Sequence, residues 1–169
     1  MKKIVNYIFL ITSSLLLFSC GVYSFSGISI SPEVKTFEVR KFTNEAAIVE
    51  AGLDRRFTTE LQDYILNQTN LSLVNSGGDI VYEGEIIQFY VAPNNADSQT
   101  TAAENRLTIS IKVRFIDNKN SDNDLERTFS HFYDYDSSDQ LTGDVAEAAY
   151  VEIFERIQQD IVTATLAKW

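Results

Sequence analysis

The 169-residue chain carries 24 acidic against 14 basic residues, a net charge of −10. So acidic a surface offers nucleic acid no broad basic footprint and has no general attraction to anionic headgroups. With 44% hydrophobic and 12% aromatic residues the composition is globular rather than disordered, and the length suits one domain with a real core.

The chain opens on Lys2 and Lys3, followed by an almost purely apolar run from Ile4 to Phe18. A basic start, about 15 apolar residues and small residues at the cut read as a secretory signal. A helix crossing the hydrocarbon needs roughly 20. The only cysteine, Cys20, stands where the signal ends, and Leu17-Phe18-Ser19-Cys20 resembles the lipobox of bacterial lipoproteins. Cleavage before Cys20 and acylation of its thiol are expected. This gives a signal peptide over residues 1–19, a lipidated tether over residues 20–33 and a single domain over residues 34–169. The other reading, a secreted protein with one spare thiol, is disfavoured in an oxidising compartment. Losing residues 1–19 removes two of the 14 basic residues and none of the 24 acidic ones, so the mature net charge is −12. The tether is Ser/Gly-rich, with Tyr23 and Phe25 as aromatic exceptions that either pack on the domain edge or touch lipid or a partner. No acidic run follows Cys20, which favours the periplasmic face.

Val34 to Phe42 alternates around Phe37 and Val39 and reads as a strand interrupted at Thr43-Asn44. From Ile48 to Gln68 the residues Leu53, Phe57, Leu61, Tyr64 and Ile65 recur at helical spacing, with Gly52 in or near the first turn. Leu71 to Val74 is a short strand closed by Asn75-Ser76-Gly77-Gly78. Asp79 to Val91 is a long β-rich segment in which Gly84 predicts a bulge or a close approach. Pro93-Asn94-Asn95 ends it, and residues 92–104 read as a long polar loop, mobile or functional. Arg106 to Phe115 alternates strictly: Leu107, Ile109, Ile111, Val113 and Phe115 on one face, Arg106, Thr108, Ser110, Lys112 and Arg114 on the other. After the Asn/Asp-rich turn over residues 117–124, Glu126 to Asp136 is a further strand. Asp144 and Glu147 predict a capping box, opening a helix with the stripe Ala146, Tyr150, Ile153, Ile157 and Ile161. Strand, helix, several strands and helix predict an α+β two-layer sandwich: two amphipathic helices on a mixed, mostly antiparallel sheet of about four strands.

No catalytic constellation survives weighing. The single histidine, His131, sits among aromatics on a strand, as a structural histidine would. There is no nucleophile elbow, phosphate loop or dinucleotide fingerprint, and no Cys/His cluster for zinc. The acidic turn at 117–124 lacks the Gly and Glu of a calcium loop in any register. Neither an enzyme activity, a cofactor nor a metal is expected. Glu83 and Glu85, two apart on one strand face, read as an exposed face rather than an acid and base.

Cys20 to Gly27, Phe37-Glu38-Val39-Arg40-Lys41-Phe42-Thr43-Asn44, the strand from Asn105 to Phe115, and the C-terminal helix together resemble LptE, the lipopolysaccharide-assembly lipoprotein of the outer membrane, in its Bacteroidetes-type form. The resemblance implies two helices on a mixed four-stranded sheet. It implies a plug inside the β-barrel LptD, helping deliver lipopolysaccharide to the outer leaflet. On that reading the partners are an LptD-type barrel, lipopolysaccharide, and the membrane through Cys20, with no nucleic acid. The location is the outer membrane, on the periplasmic side within the barrel complex. The loop at 92–104 is the candidate barrel contact, through Asn94, Ser98 and Thr101. Lipopolysaccharide carries phosphates, so Arg106, Lys112 and Arg114 on one strand face are the candidate ligand residues. The alternative for that face is ion pairing with Glu83 and Glu85 on a neighbouring strand. A competing function is a free-standing lipoprotein that binds a glycan or peptide through Tyr82, Phe89 and Tyr90.

Overall fold

A computed structural model describes residues 30–48, 50–94 and 103–167. The signal peptide, Cys20, the tether up to residue 29, Ser98 and Thr101 lie outside them. The strands are β1 (Thr36–Val39), β2 (Thr43–Asn44), β3 (Ser72–Leu73), β4 (Ile80–Asn94), β5 (Glu104–Asp117) and β6 (Leu125–Asp136). The helices are α1 (Leu53–Gln68) and α2 (Gly143–Leu166). The predicted α+β class holds, with six strands rather than about four: the order is β3-β1-β4-β5-β6, and β2 also pairs with β4. β1 runs parallel to β3 and β4, whereas β4, β5 and β6 form an antiparallel meander. No described helix is long and apolar enough to cross a membrane.

The period-two pattern of β5 decides the layering. Leu107, Ile109, Ile111, Val113 and Phe115 are all buried, and burying each such side chain contributes about 1.5–3 kcal/mol. α2 packs on this face of β5 and β6, and α1 lies beside it on the same side over β1, β2 and β3. Phe42, Phe57 and Phe154 form an edge-to-face chain with centroids 5.0 Å apart at each step. Phe89 meets Tyr150 at 6.2 Å. The helical stripes read from the sequence are the buried ones, including Leu53, Leu61 and Ile65 of α1 and Ile153, Ile157 and Ile161 of α2.

Several boundaries differ from the sequence reading. Thr43-Asn44, expected to interrupt the strand, is itself β2, paired with Glu85 and Ile86. Between β1 and β2 the chain leaves the ladder to drive Phe42 fully into the core, and the Phe42 amide donates to Thr58 Oγ1 at 3.1 Å. α1 starts at Leu53, not Ile48, because Gly52 takes a left-handed φ of 83° directly before it. The capping box does not form: no side chain caps α2, and Glu147 instead meets the Arg56 guanidinium with two contacts of 2.6 Å. This fork ties α1 to α2. β4 continues through Pro93 to Asn94. Proline is tolerated there because β2 ends opposite Ile86, so the far half of β4 is an edge.

The bulge in β4 falls between Ile86 and Gln88, while Gly84 is the close approach. A Cβ at Gly84 would run into the Lys112 carbonyl oxygen and come within 2.7 Å of Phe42 Cε1. Overpacking of this kind costs about 1–3 kcal/mol. Gly84→Ala should therefore lower the melting temperature by about 2–4 °C per kcal/mol lost, as read by thermal denaturation; an unchanged melting curve would contradict the packing.

Asp79 joins the beginnings of β1 and β4. Its carboxylate accepts the Lys35 and Thr36 amides at 2.9 and 3.0 Å and meets Lys119 Nζ at 2.8 Å. The Lys119 ammonium first, then those amides, hold its pKa well below the usual carboxylate range. A carboxyl depressed on folding adds stability that is complete above its unfolded value of about 4 and is lost as pH falls through the folded value. The stability difference between the protein and Asp79→Asn should thus be largest near neutral pH and shrink below about pH 4, in melting curves recorded across pH. A difference independent of pH would exclude the charge as its source.

Candidate functional site

The face of the sheet opposite the helices carries the even-numbered side chains of β5 and β6. It is polar because the same alternation that buries Leu107 to Phe115 turns Arg106, Thr108, Ser110, Lys112 and Arg114 outward. The structure confirms that the three candidate cations share this face, but it groups only two of them. Lys112 and Arg114 lie close, two residues apart, and six residues of strand, about 20 Å, separate Arg106 from Lys112.

At the Lys112 end, four tracks of chain place charges side by side. Glu83, Arg114 and Glu126 are in register across β4, β5 and β6. Glu83 is shared by two guanidinium groups, Arg40 Nη1 at 2.5 Å and Arg114 Nη1 at 3.3 Å. Arg40 Nε also meets Glu38 Oε1 at 3.0 Å, and Lys112 Nζ meets Glu126 Oε1 at 2.6 Å. The Arg40 guanidinium first, helped by the Gly78 and Gly77 amides, lowers the Glu38 pKa against the opposing effect of burial. The Lys112 ammonium lowers that of Glu126, which in turn raises that of Lys112. Arg40, Lys41, Lys112 and Arg114 with Glu83, Glu85 and Glu126 line a shallow depression of about 420 Å³ that also takes in Gly84, and Lys41 pairs outside it with Asp54 at 3.4 Å.

The expected pairing with Glu83 and Glu85 is therefore found for Arg114. Lys112 takes Glu126 instead, with Glu85 as a more distant neighbour. Arg106 pairs with neither: its fork grips Asp134 with two bonds of 2.7 Å, and its guanidinium carbon lies 3.6 Å from the centre of the Phe132 ring. Asp134 raises the Arg106 pKa. Between the two ends runs a neutral row, where Ser110 Oγ lies 2.9 Å from both Gln88 Oε1 and Ser130 Oγ.

The other singled-out residues fall as follows. Asn94 is not in a loop but ends β4 opposite Glu104. Tyr82 and Phe89 belong to the core, and the Tyr82 hydroxyl is 2.9 Å from Thr165 Oγ1, so of the proposed aromatic trio only Tyr90 is exposed. His131 pairs with Asp160 at 2.7 Å. The Asp117 carboxylate is occupied by the Lys119 and Asn120 amides, and no metal-binding group of side chains occurs among the described residues. Sequence reasoning missed Arg40 and Lys41 as members of the cationic cluster. The signal was the basic dipeptide between two short β-rich stretches, but nothing local announced that β2 would continue the pairing beside β4.

The fold and this face together define a class of small α+β domain: a helix layer on one side of a mixed sheet, with the other side left as an exposed polar surface. No curated protein sequence matches the chain. The domain resembles in fold a hypothetical protein from Chlamydia trachomatis, with 9% identity and a TM-score of 0.55 over 80% of this chain and 99% of that one. It also resembles a protein from Xanthomonas campestris, with 11% identity and a TM-score of 0.52 over 82% and 90%. The sequence model of the lipopolysaccharide-assembly family LptE matches residues 34–165, and the chain belongs to that family.

Glu83 offers a direct check on the charge cluster. Glu83→Gln leaves Arg40 and Arg114 without their shared counter-ion; because both are largely solvated, the cost should be about 1 kcal/mol or less. The expected drop in melting temperature should vanish near 1 M salt, where the screening length is about 3 Å. A drop that persists at high salt would mean that Glu83 acts through packing.

Proposed function

We propose that the protein is an outer-membrane lipoprotein, anchored through acylated Cys20 on the periplasmic side, that plugs and supports an LptD-type β-barrel and binds lipopolysaccharide during its assembly into the outer leaflet. The observation that carries this reading is the family match over residues 34–165. The surface chemistry supports it. Transmembrane barrel lumens are polar, and a plug must meet such a wall without burying charges that lack partners. Here the outward cations already hold carboxylates, so the face can be covered without stranding them. Phosphate would be taken at the Arg40, Lys41, Lys112 and Arg114 end. There the planar forks of two arginines match phosphate oxygens in paired bonds, and an incoming phosphate replaces Glu83 and Glu126 as their counter-ion. Arg106, closed by Asp134 at the far end, would position the strand rather than join that grip. Ser98 and Thr101, with Asn94 at the strand end, remain the proposed barrel contacts. The protein works on this reading as a binding and assembly factor with no reaction step.

Each acyl CH₂ buried in a bilayer contributes about 0.8 kcal/mol, and stable attachment takes more than one chain. Affinity purification of a tagged full chain from detergent-solubilised membranes should recover a large β-barrel in equal amount. In a host lacking that barrel, Cys20→Ala should move the protein from the membrane to the soluble fraction. Recovery of the lipoprotein alone would overturn the barrel assignment, and membrane retention of Cys20→Ala after a high-salt wash would overturn the anchor.

A further inference from the structure

The Arg106 end of the open face has a chemistry of its own. Tyr90, Thr108 and Phe132 are register partners across β4, β5 and β6, so they form one transverse row. Tyr90 is 53% and Phe132 47% exposed, on either side of the small Thr108. Two strand spacings, about 9.6 Å, separate their backbones. Phe132 is held in place: the Arg106 guanidinium covers one face of the ring, Asp134 fixes Arg106 with both oxygens, and the rest of the ring is left to solvent.

What is spent here and what is left over differ by kind. The charges are spent on each other, as Arg106 and Asp134 neutralise one another. The neutral polar groups are not: among the described residues, the Tyr90 phenol and Thr108 hydroxyl make no hydrogen bond to the protein, and Gln88 uses only its carbonyl oxygen, toward Ser110. The next row adds the Ser130 hydroxyl, whose partner Ser110 is buried and already bonded to Gln88. A ligand that matches this surface is uncharged, has an apolar face for a ring and presents hydroxyls around its edge. A pyranose sugar has that chemistry; a phosphate or a carboxylate does not, because this end offers it a single arginine held by both oxygens of Asp134, where the other end gathers four cations.

We propose that the Tyr90–Thr108–Phe132 row is a saccharide subsite that takes one neutral pyranose ring, stacked on the exposed aromatics and bonded by Thr108, Tyr90 and the Gln88 amide. This rests on the lipopolysaccharide reading for the source of the glycan and separates the face into a phosphate end and a sugar end. Stacking contributes through contact rather than charge, so binding should be nearly insensitive to salt up to about 0.5 M, unlike an ion-paired site.

The test uses the full chain purified in detergent and, as probe, the oligosaccharide of the producing cell's lipopolysaccharide with lipid and phosphates removed, titrated by calorimetry. Tyr90→Ala and Phe132→Ala should each weaken binding about tenfold, with melting curves unchanged for Tyr90→Ala, whose side chain stands in solvent. Tyr90→Phe, which keeps the ring and loses the phenol, should lose less than Tyr90→Ala. Co-purification of the barrel should be unaffected in all three. Full barrel recovery with no binding of the delipidated glycan, or equal binding by the alanine variants and the unchanged protein, would overturn the subsite and leave the barrel assignment standing. Alanine variants that lose the barrel but bind glycan normally would assign the row to the barrel wall and also overturn it. Failure to recover the barrel while glycan binding follows the expected order would sink the barrel reading and leave the subsite.

Discussion

β5 is the strand on which everything else depends. It has a hydrogen-bonded neighbour along both sides, so its backbone is satisfied within the sheet and its side chains alone decide what each face becomes. The alternation from Arg106 to Phe115 within this strand gives one face dry enough to join the core under the helices and another wet enough to carry a lattice of ions. Shifting the register by one residue would exchange the two sets. The functional surface and the core are thus one pattern seen from opposite sides.

This explains why the layering was legible in the sequence and the edges were not. Leu107 to Phe115 and the stripes of α1 and α2 are periodic signals that survive without tertiary context. β2 is not periodic. Two residues, Thr43 and Asn44, pair with β4 only because the chain swings Phe42 inward and returns, and the cause, a slot between Phe57 and Gly84, is set by residues far along the chain. The helix caps fail for a similar reason. Asp144 and Glu147 have the spacing of a capping box, but Glu147 finds a better partner in Arg56, whose pKa is raised by that fork. Local pattern is a weak competitor when a charged group from another helix is within reach.

The candidate site was half legible. Alternation put Arg106, Lys112 and Arg114 on one face correctly and Glu83 was named as a partner, yet nothing pointed to Asp134 and Glu126, because they sit on β6, whose register the sequence does not fix. A chain with so large an acidic excess has carboxylates to spare, and on the open face they meet every one of these cations. The cationic cluster is also wider than one strand, since Arg40 and Lys41 reach it from the link between β1 and β2. A charge set assembled from four tracks of chain leaves no compact motif to read.

The division of the sheet into a parallel part and an antiparallel part has a consequence for the order of folding. β4, β5 and β6 each pair with their neighbour in sequence, whereas β1 pairs with β3 and β4, which both lie later in the chain beyond α1. As synthesis proceeds from the N-terminus, the first part to appear, β1 with α1 and β3, has no β4 to lean on and cannot bury Phe37 or Phe57 by itself. The N-terminal part of the domain therefore closes its core only once Ile80 to Ile86 has arrived to take β1 and β2 alongside it.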